Sequence, residues 1–165
     1  EGKQFWAGAT IYDLTSKSVS KIVQEALIEG LVTGVIDIIS TGSSPDKSTL
    51  SILVTELYHN RKIPFTTIFK ALNVNPYRFM ALKPQGVALG NFPNMTIVAP
   101  MRQVTYSKSQ LNKESQEWAG KTLKGEIKAT IIDGKFLYNT LDTGLMIGAF
   151  SNYRRAGAKK QYLGL

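Results

Sequence analysis

Val35-Ile36-Asp37-Ile38-Ile39-Ser40-Thr41, followed at once by Gly42-Ser43-Ser44-Pro45, is the stretch that decides the fold. Its β-branched apolar run predicts a buried strand, and the small residues and proline after it predict a tight turn into a helix. The preceding residues fit the same grammar. Ile22, Val23, Ala26, Leu27, Gly30 and Leu31 recur at three- and four-residue spacing, so residues 20–33 are expected to be helical with that set inward. Ser18 or Ser20 can cap the start of this helix, and Gly34 can end it in a left-handed conformation. Helix, short turn and apolar strand make an α/β unit. In an α/β barrel the carboxyl end of such a strand is where catalytic groups sit. Here that end carries no carboxylate, imidazole or thiol.

Downstream, Ser44 as N-cap, Pro45 in the first turn and Asp46 at the positive end of the dipole predict a second helix. Leu50, Leu53, Val54, Leu57 and Tyr58 form its expected buried stripe, and it should stop near Asn60. A third helix over Phe65–Leu72 is expected to bury Ile68, Phe69 and Leu72. A fourth, starting on Asn75-Pro76, is expected to bury Phe79, Met80 and Leu82. Upstream, a short strand is expected near Ala9–Leu14. After Pro84, Gly86–Gly90, Met95–Pro100 and Val104–Tyr106 read as short strands. Gly125–Thr130 and Lys135–Tyr138 flank Asp133-Gly134, a strong hairpin turn signal. Residues 1–83 therefore read as α/β, 84–142 as a β-rich module and 143–165 as a basic tail.

Composition narrows the classes. The 165 residues suffice for one core, and 43% apolar with 19% charged residues is the balance of a globular chain. With no cysteine, disulfide frameworks and thiolate zinc sites are excluded. Glu1-Gly2-Lys3-Gln4 is not followed by the apolar core of a signal peptide, and no apolar run reaches the length of a membrane span, so a cytoplasmic location is the expectation. The formal charge of +8 is partly local, in Arg154, Arg155, Lys159 and Lys160. The other basic residues are scattered among acids and hydroxyls and read as a solvated surface rather than a nucleic-acid footprint. Phe150, Tyr153 and Tyr162 alternate with the tail's Arg and Lys, which suits RNA stacking or packing on a partner equally.

Three motifs, in order, resemble the carboxyl-terminal part of cyclic amidohydrolases, dihydroorotase above all. Ala26-Leu27-Ile28-Glu29-Gly30-Leu31 with Gly34-Val35-Ile36-Asp37-Ile38-Ile39 is similar to the family helix leading into barrel strand eight. Asn75-Pro76-Tyr77-Arg78-Phe79-Met80-Ala81-Leu82 is similar to the family's "NPAkifGL" helix. Gly86, Gly90 and Met95-Thr96-Ile97-Val98 follow at the interval of its return into a β-sandwich. Trp118-Ala119-Gly120-Lys121-Thr122-Leu123-Lys124-Gly125-Glu126-Ile127, then Thr130 and Asp133-Gly134-Lys135, resembles the closing "f.G..l.G.v..T.v.Gk.vy". Each Gly, Pro and Asn alone is ordinary turn or cap chemistry; their joint order is not. The fold class implied is α/β plus β, the carboxyl-terminal portion of a TIM-barrel amidohydrolase with its β-sandwich-forming strands.

The departures bear on chemistry. The family's strand eight ends in "TDHAP", whose Asp binds metal and acts as general base on the attacking water. Thr41 and Pro45 match, whereas Gly42 stands at the Asp position and Ser43 at the His position. Glycine can neither ligate a metal nor accept a proton. The family's "NPPLR" supplies a substrate-holding Asn and Arg; counting back from Ala26, those positions fall on Thr15 and Val19, and residues 1–60 contain no Arg. The family's paired histidines and bridging lysine belong to earlier strands than those in this sequence. The single histidine, His59, falls at an exposed helix end and reads as a surface residue. Asp37, within the strand, and Asp133, in a turn, read as structural. Ser43 lacks a base to make it a nucleophile. The turn Gly42-Ser43-Ser44 could offer N–H groups to an anion but has no P-loop pattern.

A barrel closes with eight strands, and this sequence gives clear evidence for one and at most two. The resemblance then implies part of a dihydroorotase-like protein without hydrolase activity, completed by an amino-terminal segment or a companion chain. Its role would be structural, in pyrimidine synthesis, with aspartate transcarbamoylase as the partner and an oligomeric state. No cofactor is expected on this chain. Zinc belongs to the alternative, an active amidohydrolase whose ligands lie elsewhere. A basic nucleic-acid-binding or self-assembling protein unrelated to amidohydrolases is the third reading.

Overall fold

The computed structural model describes residues 5–42, 46–83, 86–88, 91 and 94–141. The expectations for Ser43, Ser44, Pro45, Leu89-Gly90 and the basic tail lie outside these residues. The described residues divide into two compact units, one from Glu1–Pro84 with Pro100–Glu126, the other from Gln85–Ala99 with Ile127–Leu165. Residues 100–126, assigned from sequence to the β-rich module, thus pack with the α/β part.

The first unit is built on a parallel strand pair. β1 (Gly8–Thr10) pairs with β2 (Ile38–Ser40) in the register Gly8–Ile38, Ala9–Ile39 and Thr10–Ser40. A parallel pair needs a crossover, supplied by α1 (Ile11–Thr15) and α2 (Lys21–Thr33). The expected strand over Ala9–Leu14 is therefore corrected: it ends at Thr10. The reason is a capping box, in which the Thr10 hydroxyl accepts from Asp13 N at 3.1 Å while the Asp13 carboxylate accepts from Thr10 N at 3.0 Å.

α2 ends at Gly34 in the left-handed conformation, as expected, but its inward set differs. Ile28 and Leu31 are buried, whereas Ile22 is 82% exposed and Val23 50%. Ile28 and Leu31 set the face that packs on the core, and a partly exposed ion pair accompanies it. Arg61 donates to both oxygens of Glu25 at 2.8 Å and to Gln24 at 3.1 Å. The strand also starts later than expected, because Ile36 N bonds back to Gly30 O at 2.8 Å and leaves Val35 in solvent.

After β2 the chain returns as α3 (Thr49–Leu53), which runs on into a π-helical stretch, Val54–Asn60. Asp46 is not in this helix; it organises the turn before it. Ser51, Ile52, Leu53, Val54 and Leu57 are buried. α4 (Phe65–Phe69) continues through a π-helical Lys70–Val74 into α5 (Asn75–Phe79), so Asn75 starts no separate helix. Both Val74 and Asn75 keep right-handed helical angles, and the Asn75 amide donates to Asp37 O at 2.7 Å. Ile68 and Ala71 are buried, but Phe79 (60%), Met80 and Leu82 stand exposed. This corrects the expected inward stripe of the last helix. The Trp6 ring meets Phe79 edge-on, with centroids 6.2 Å apart, and leaves most of that end in solvent.

β3 (Met95–Thr105), β4 (Thr122–Ile132) and β5 (Lys135–Asn139) form a sheet in that order. β3 is one strand rather than two. It passes through Pro100 because, as an edge strand, it can leave that missing donor on its open side. Residues 86–88 are not in a strand. In the second unit β4 and β5 pair antiparallel across Asp133-Gly134, with Ile132 opposite Lys135 and a bulge between Thr130 and Ile131. Asp133 has φ 49° and Gly134 φ 74°, the paired positive values of a tight hairpin turn. The Asn94 side chain accepts from Asp133 N at 2.6 Å and fixes the turn. Asp133 is thus a turn residue, as read from the sequence.

Candidate functional site

The face to inspect is the carboxyl end of β1 and β2, since helices follow both strands there. Beyond β1, α1 places Tyr12, Thr15 and Ser16; beyond β2 come Thr41 and Gly42. Thr15, Thr41, Asn112, Glu114, Ser115 and Trp118 are among the residues around a cavity of about 20 Å³. That is room for about one water. Outside it lies a shallow cleft of about 470 Å³ bordered by Tyr12, Ser16, Ser18, Lys113, Glu114 and Glu117.

Gly42 has φ 74°, a left-handed conformation that a side chain adopts only with strain. A Cβ there would also lie 3.3 Å from Glu114 Oε2. Its amide donates to the Ser40 hydroxyl at 3.2 Å. Thr15 is buried, and its hydroxyl donates to Ile11 O at 2.7 Å, so it caps its own helix rather than facing a ligand. Val19 is half-buried, its amide donates to Ser16 O, and it borders neither space. The structure therefore brings Thr15 and Thr41 to one cavity beside Gly42 and leaves Val19 outside. Ser43 and Pro45 fall outside the described residues.

Two residues here escaped the sequence reading. Glu114 and Asn112 belong to the connection between β3 and β4 and are brought to this face by chain tracing alone. The available signal was local: Ser107 and Gln110 at capping-box spacing, which form that box in the structure. Asp46 was read as a helix-dipole partner but works as a turn anchor. Its Oδ1 accepts from Ser48 N at 2.8 Å and Ser48 Oγ at 2.6 Å, and its Oδ2 from Asn112 N at 2.9 Å. Burial pushes this carboxyl up, but bonds from Ser48, Asn112 and Ser115 outweigh it and hold the group below its ordinary range.

A metal needs convergent donors. Among the described residues no three His, Cys, Asp or Glu side chains converge. Gly42 offers no donor, and the nearest carboxylate, Glu114, comes from another element. The described residues of this face do not fit a zinc site by themselves. His59 is on the π-helical stretch, with Nε2 2.8 Å from Pro100 O. Asp37 is buried and its Oδ2 accepts from Ala7 N at 3.1 Å, which ties down the start of β1. Among the described residues no helix is long and apolar enough to cross a membrane.

No protein-family model matches the sequence. The dihydroorotase of Carboxydothermus hydrogenoformans is 29% identical over 144 residues, which are 74% of this chain and 34% of that protein. The dihydroorotase of Aquifex aeolicus is 29% identical over 133 residues, 68% of this chain and 31% of its own length. The chain thus spans about a third of the curated relatives it matches. Among solved structures, the inactive dihydroorotase-like domain of a Chaetomium thermophilum CAD-like multifunctional protein superposes with TM-score 0.64 at 19% identity, covering 81% of this chain and 44% of that one. The L-hydantoinase (dihydropyrimidinase) of Arthrobacter aurescens gives 0.67 at 11% identity, covering 81% and 39%. At those identities the likeness is one of fold. Sequence and fold point the same way: the chain is similar to the carboxyl-terminal part of dihydroorotases in sequence and of dihydroorotase-like and hydantoinase proteins in fold.

Proposed function

We propose that this chain is the last part of a degenerate amidohydrolase barrel with its sandwich-forming strands, and that the protein is a dihydroorotase-like scaffold without hydrolase activity. One observation carries the reading. Where the family places its metal-binding Asp, at the end of strand eight, stands Gly42, left-handed and with a carboxylate 3.3 Å from any Cβ. The missing donor at Gly42 and the absence of an Arg from the Val19 position support the loss of a metal ligand and of the carboxylate clamp.

The surroundings support a part completed by more chain. A parallel pair of three-residue strands cannot stand alone. Phe79, Met80 and Leu82 are exposed apolar residues of the kind an adjoining segment covers. The missing neighbours are the earlier barrel strands, supplied by an amino-terminal segment or a companion chain. The role that follows is structural support in pyrimidine synthesis, with aspartate transcarbamoylase as the partner, in an oligomeric and cytoplasmic assembly. No cofactor is needed for it.

The alternative, an active amidohydrolase whose zinc ligands lie in other segments, is favoured by one feature: Glu114 delivers a carboxylate to the strand-eight end from a different element. A dihydroorotase assay on the complete protein separates the two. The scaffold reading expects no turnover with or without added zinc. Turnover that chelation removes would overturn it, and loss of that turnover in Glu114→Gln would assign the carboxylate. Salt-sensitive binding to nucleic acid would instead favour the third, unrelated class.

A further inference from the structure

The connection between β3 and β4 is more than a loop. It is pinned at both ends by buried apolar side chains, Leu111 and Trp118, each part of the main core. Its backbone is drawn in at Gly120, whose amide donates to Tyr106 O at 3.0 Å. Two short 3-10 turns, Lys108–Gln110 and Gln116–Trp118, stiffen it. The part between these anchors lies across the strand ends. Glu114 approaches Gly42, and the Glu117 carboxylate accepts from Lys17 N at 3.3 Å. The middle of the segment is tied to the turn before α3 through Asp46. Asp46 Oδ2 accepts from Asn112 N, the Asp46 carboxylate also takes a bond from the Ser115 side chain, and Asn112 Oδ1 accepts from Ser115 N at 2.9 Å.

We infer that residues 112–117 form an internal plug over the carboxyl face of β1 and β2, and that Asp46 is the positioning residue that latches it shut. The closure is why only about 20 Å³ remains behind Thr15 and Thr41. Asp46 suits the task because it is bidentate across two elements. One oxygen orders the turn before α3 through Ser48, and the other reaches the plug. A carboxylate accepting backbone N–H groups makes bonds about twice as strong as neutral ones. Releasing it removes the Asp46 ties between the plug and the turn before α3, while Leu111 and Trp118 keep their apolar anchors. The inference concerns a conformational state, not turnover, so it stands or falls independently of the scaffold reading.

The test is hydrogen exchange and limited trypsin digestion on the full chain carrying Asp46→Ala. The amides of Asn112 and Ser115 should exchange at least about tenfold faster, and cleavage after Lys113 should accelerate by a similar factor, as expected when a charge-assisted latch is lost. Amides of Leu53, Val54 and Leu57 should keep their protection. In a Trp6→Phe background, acrylamide quenching of Trp118 should stay unchanged because its core anchor is kept, whereas general destabilisation would raise it. If Asp46→Ala does not fold, Asn112→Pro removes the latched N–H together with the Oδ1 acceptor for Ser115 N, and should give the same pattern at the Ser115 amide and after Lys113. Uniform loss of protection across Leu53–Leu57 and the plug in a folded variant would overturn the inference. So would plug exchange within about twofold of wild type in either variant.

Discussion

Two regions of the first unit are built to opposite standards. Where α3 and its π-helical extension meet β4, every side chain is constrained. Ser51 Oγ is 2.9 Å from the Tyr106 hydroxyl and donates to Gly125 O at 2.8 Å. Thr55 Oγ1 donates to Ser51 O at 2.7 Å and accepts from Lys124 N at 2.8 Å. Gly125 is so close to the helix that a Cβ would sit 2.7 Å from Val54 Cβ. At the strand ends the groups are small, and the segment over them is tied to the turn before α3 through the Asp46 carboxylate. A buried polar junction that is fully paired specifies a single arrangement. At the strand end Gly42 offers no side-chain donor, and the nearby carboxylate, Glu114, comes from another element.

The comparison breaks first at Gly125. Gly125→Ala puts a Cβ inside Val54 and forces a side chain onto φ 95°. Neither atom of contact is a flexible end, so the cost should be about 3 kcal/mol or more. Urea unfolding of the full chain reads it as a large fall in midpoint with unchanged slope. Ser51→Ala should follow at about 2 kcal/mol, because both bonds of a fully buried hydroxyl go together. If either change costs as little as a substitution at exposed Ile22, the junction does not carry the fold.

Gly42→Asp sharpens the other half of the comparison. It restores the residue type the family places there, yet the left-handed backbone and Glu114 stand against it. Aspartate tolerates that conformation better than most residues and the Glu114 end can swing away, so the cost should be about 1 kcal/mol. The complete protein should still show no turnover, since one donor does not make a metal site. Zinc-dependent turnover in this variant would show the face to be one mutation from working and would collapse the contrast.

What was legible in the sequence follows the range of the forces involved. The hairpin at Asp133-Gly134 and the left-handed end at Gly34 are encoded by adjacent residues, and both were readable. So was the order of motifs that betrayed the family. The facing of α2 was not, because tertiary packing decides which of its apolar residues meet the core, with Ile28 and Leu31 inward and Ile22 in solvent. The exposed Phe79, Met80 and Leu82 were misread for a related reason: an apolar stripe reports that something covers it, not what. At the site, Gly42 was identified from alignment to a motif, while Glu114 and the Asp46–Asn112 tie were invisible. Residues 66 apart in sequence meet there through tertiary placement, and no local pattern encodes such a meeting.

The smallest effects are electrostatic, and the two regions should give them opposite signs. At the strand-end face, the folded state holds the Asp46 carboxyl below its ordinary value of 3.8. A depressed acid stabilises the fold above that value and loses its contribution as the pH falls through the folded-state value. The latch should therefore loosen only in strong acid, and the plug's protection factors, taken relative to the intrinsic exchange rate at each pH, should be flat from neutrality to about pH 5. Beside the junction, burial raises Glu56 above its ordinary 4.5 against the pull of Asn60, Arg61, Lys17 and Lys121. A raised acid is most favourable to folding below 4.5 and costs stability as the pH rises through the raised value. Glu56→Gln keeps a carbonyl acceptor for the Asn60 amide, which donates at 3.0 Å. It should leave stability at pH 4 nearly unchanged and raise it at pH 7 by less than about 0.5 kcal/mol, because Glu56 is only half-buried. Unfolding midpoints at the two pH values measure this. A loss at pH 7 would mean that the surrounding cations outweigh burial, and that the junction is held by charge as well as by packing.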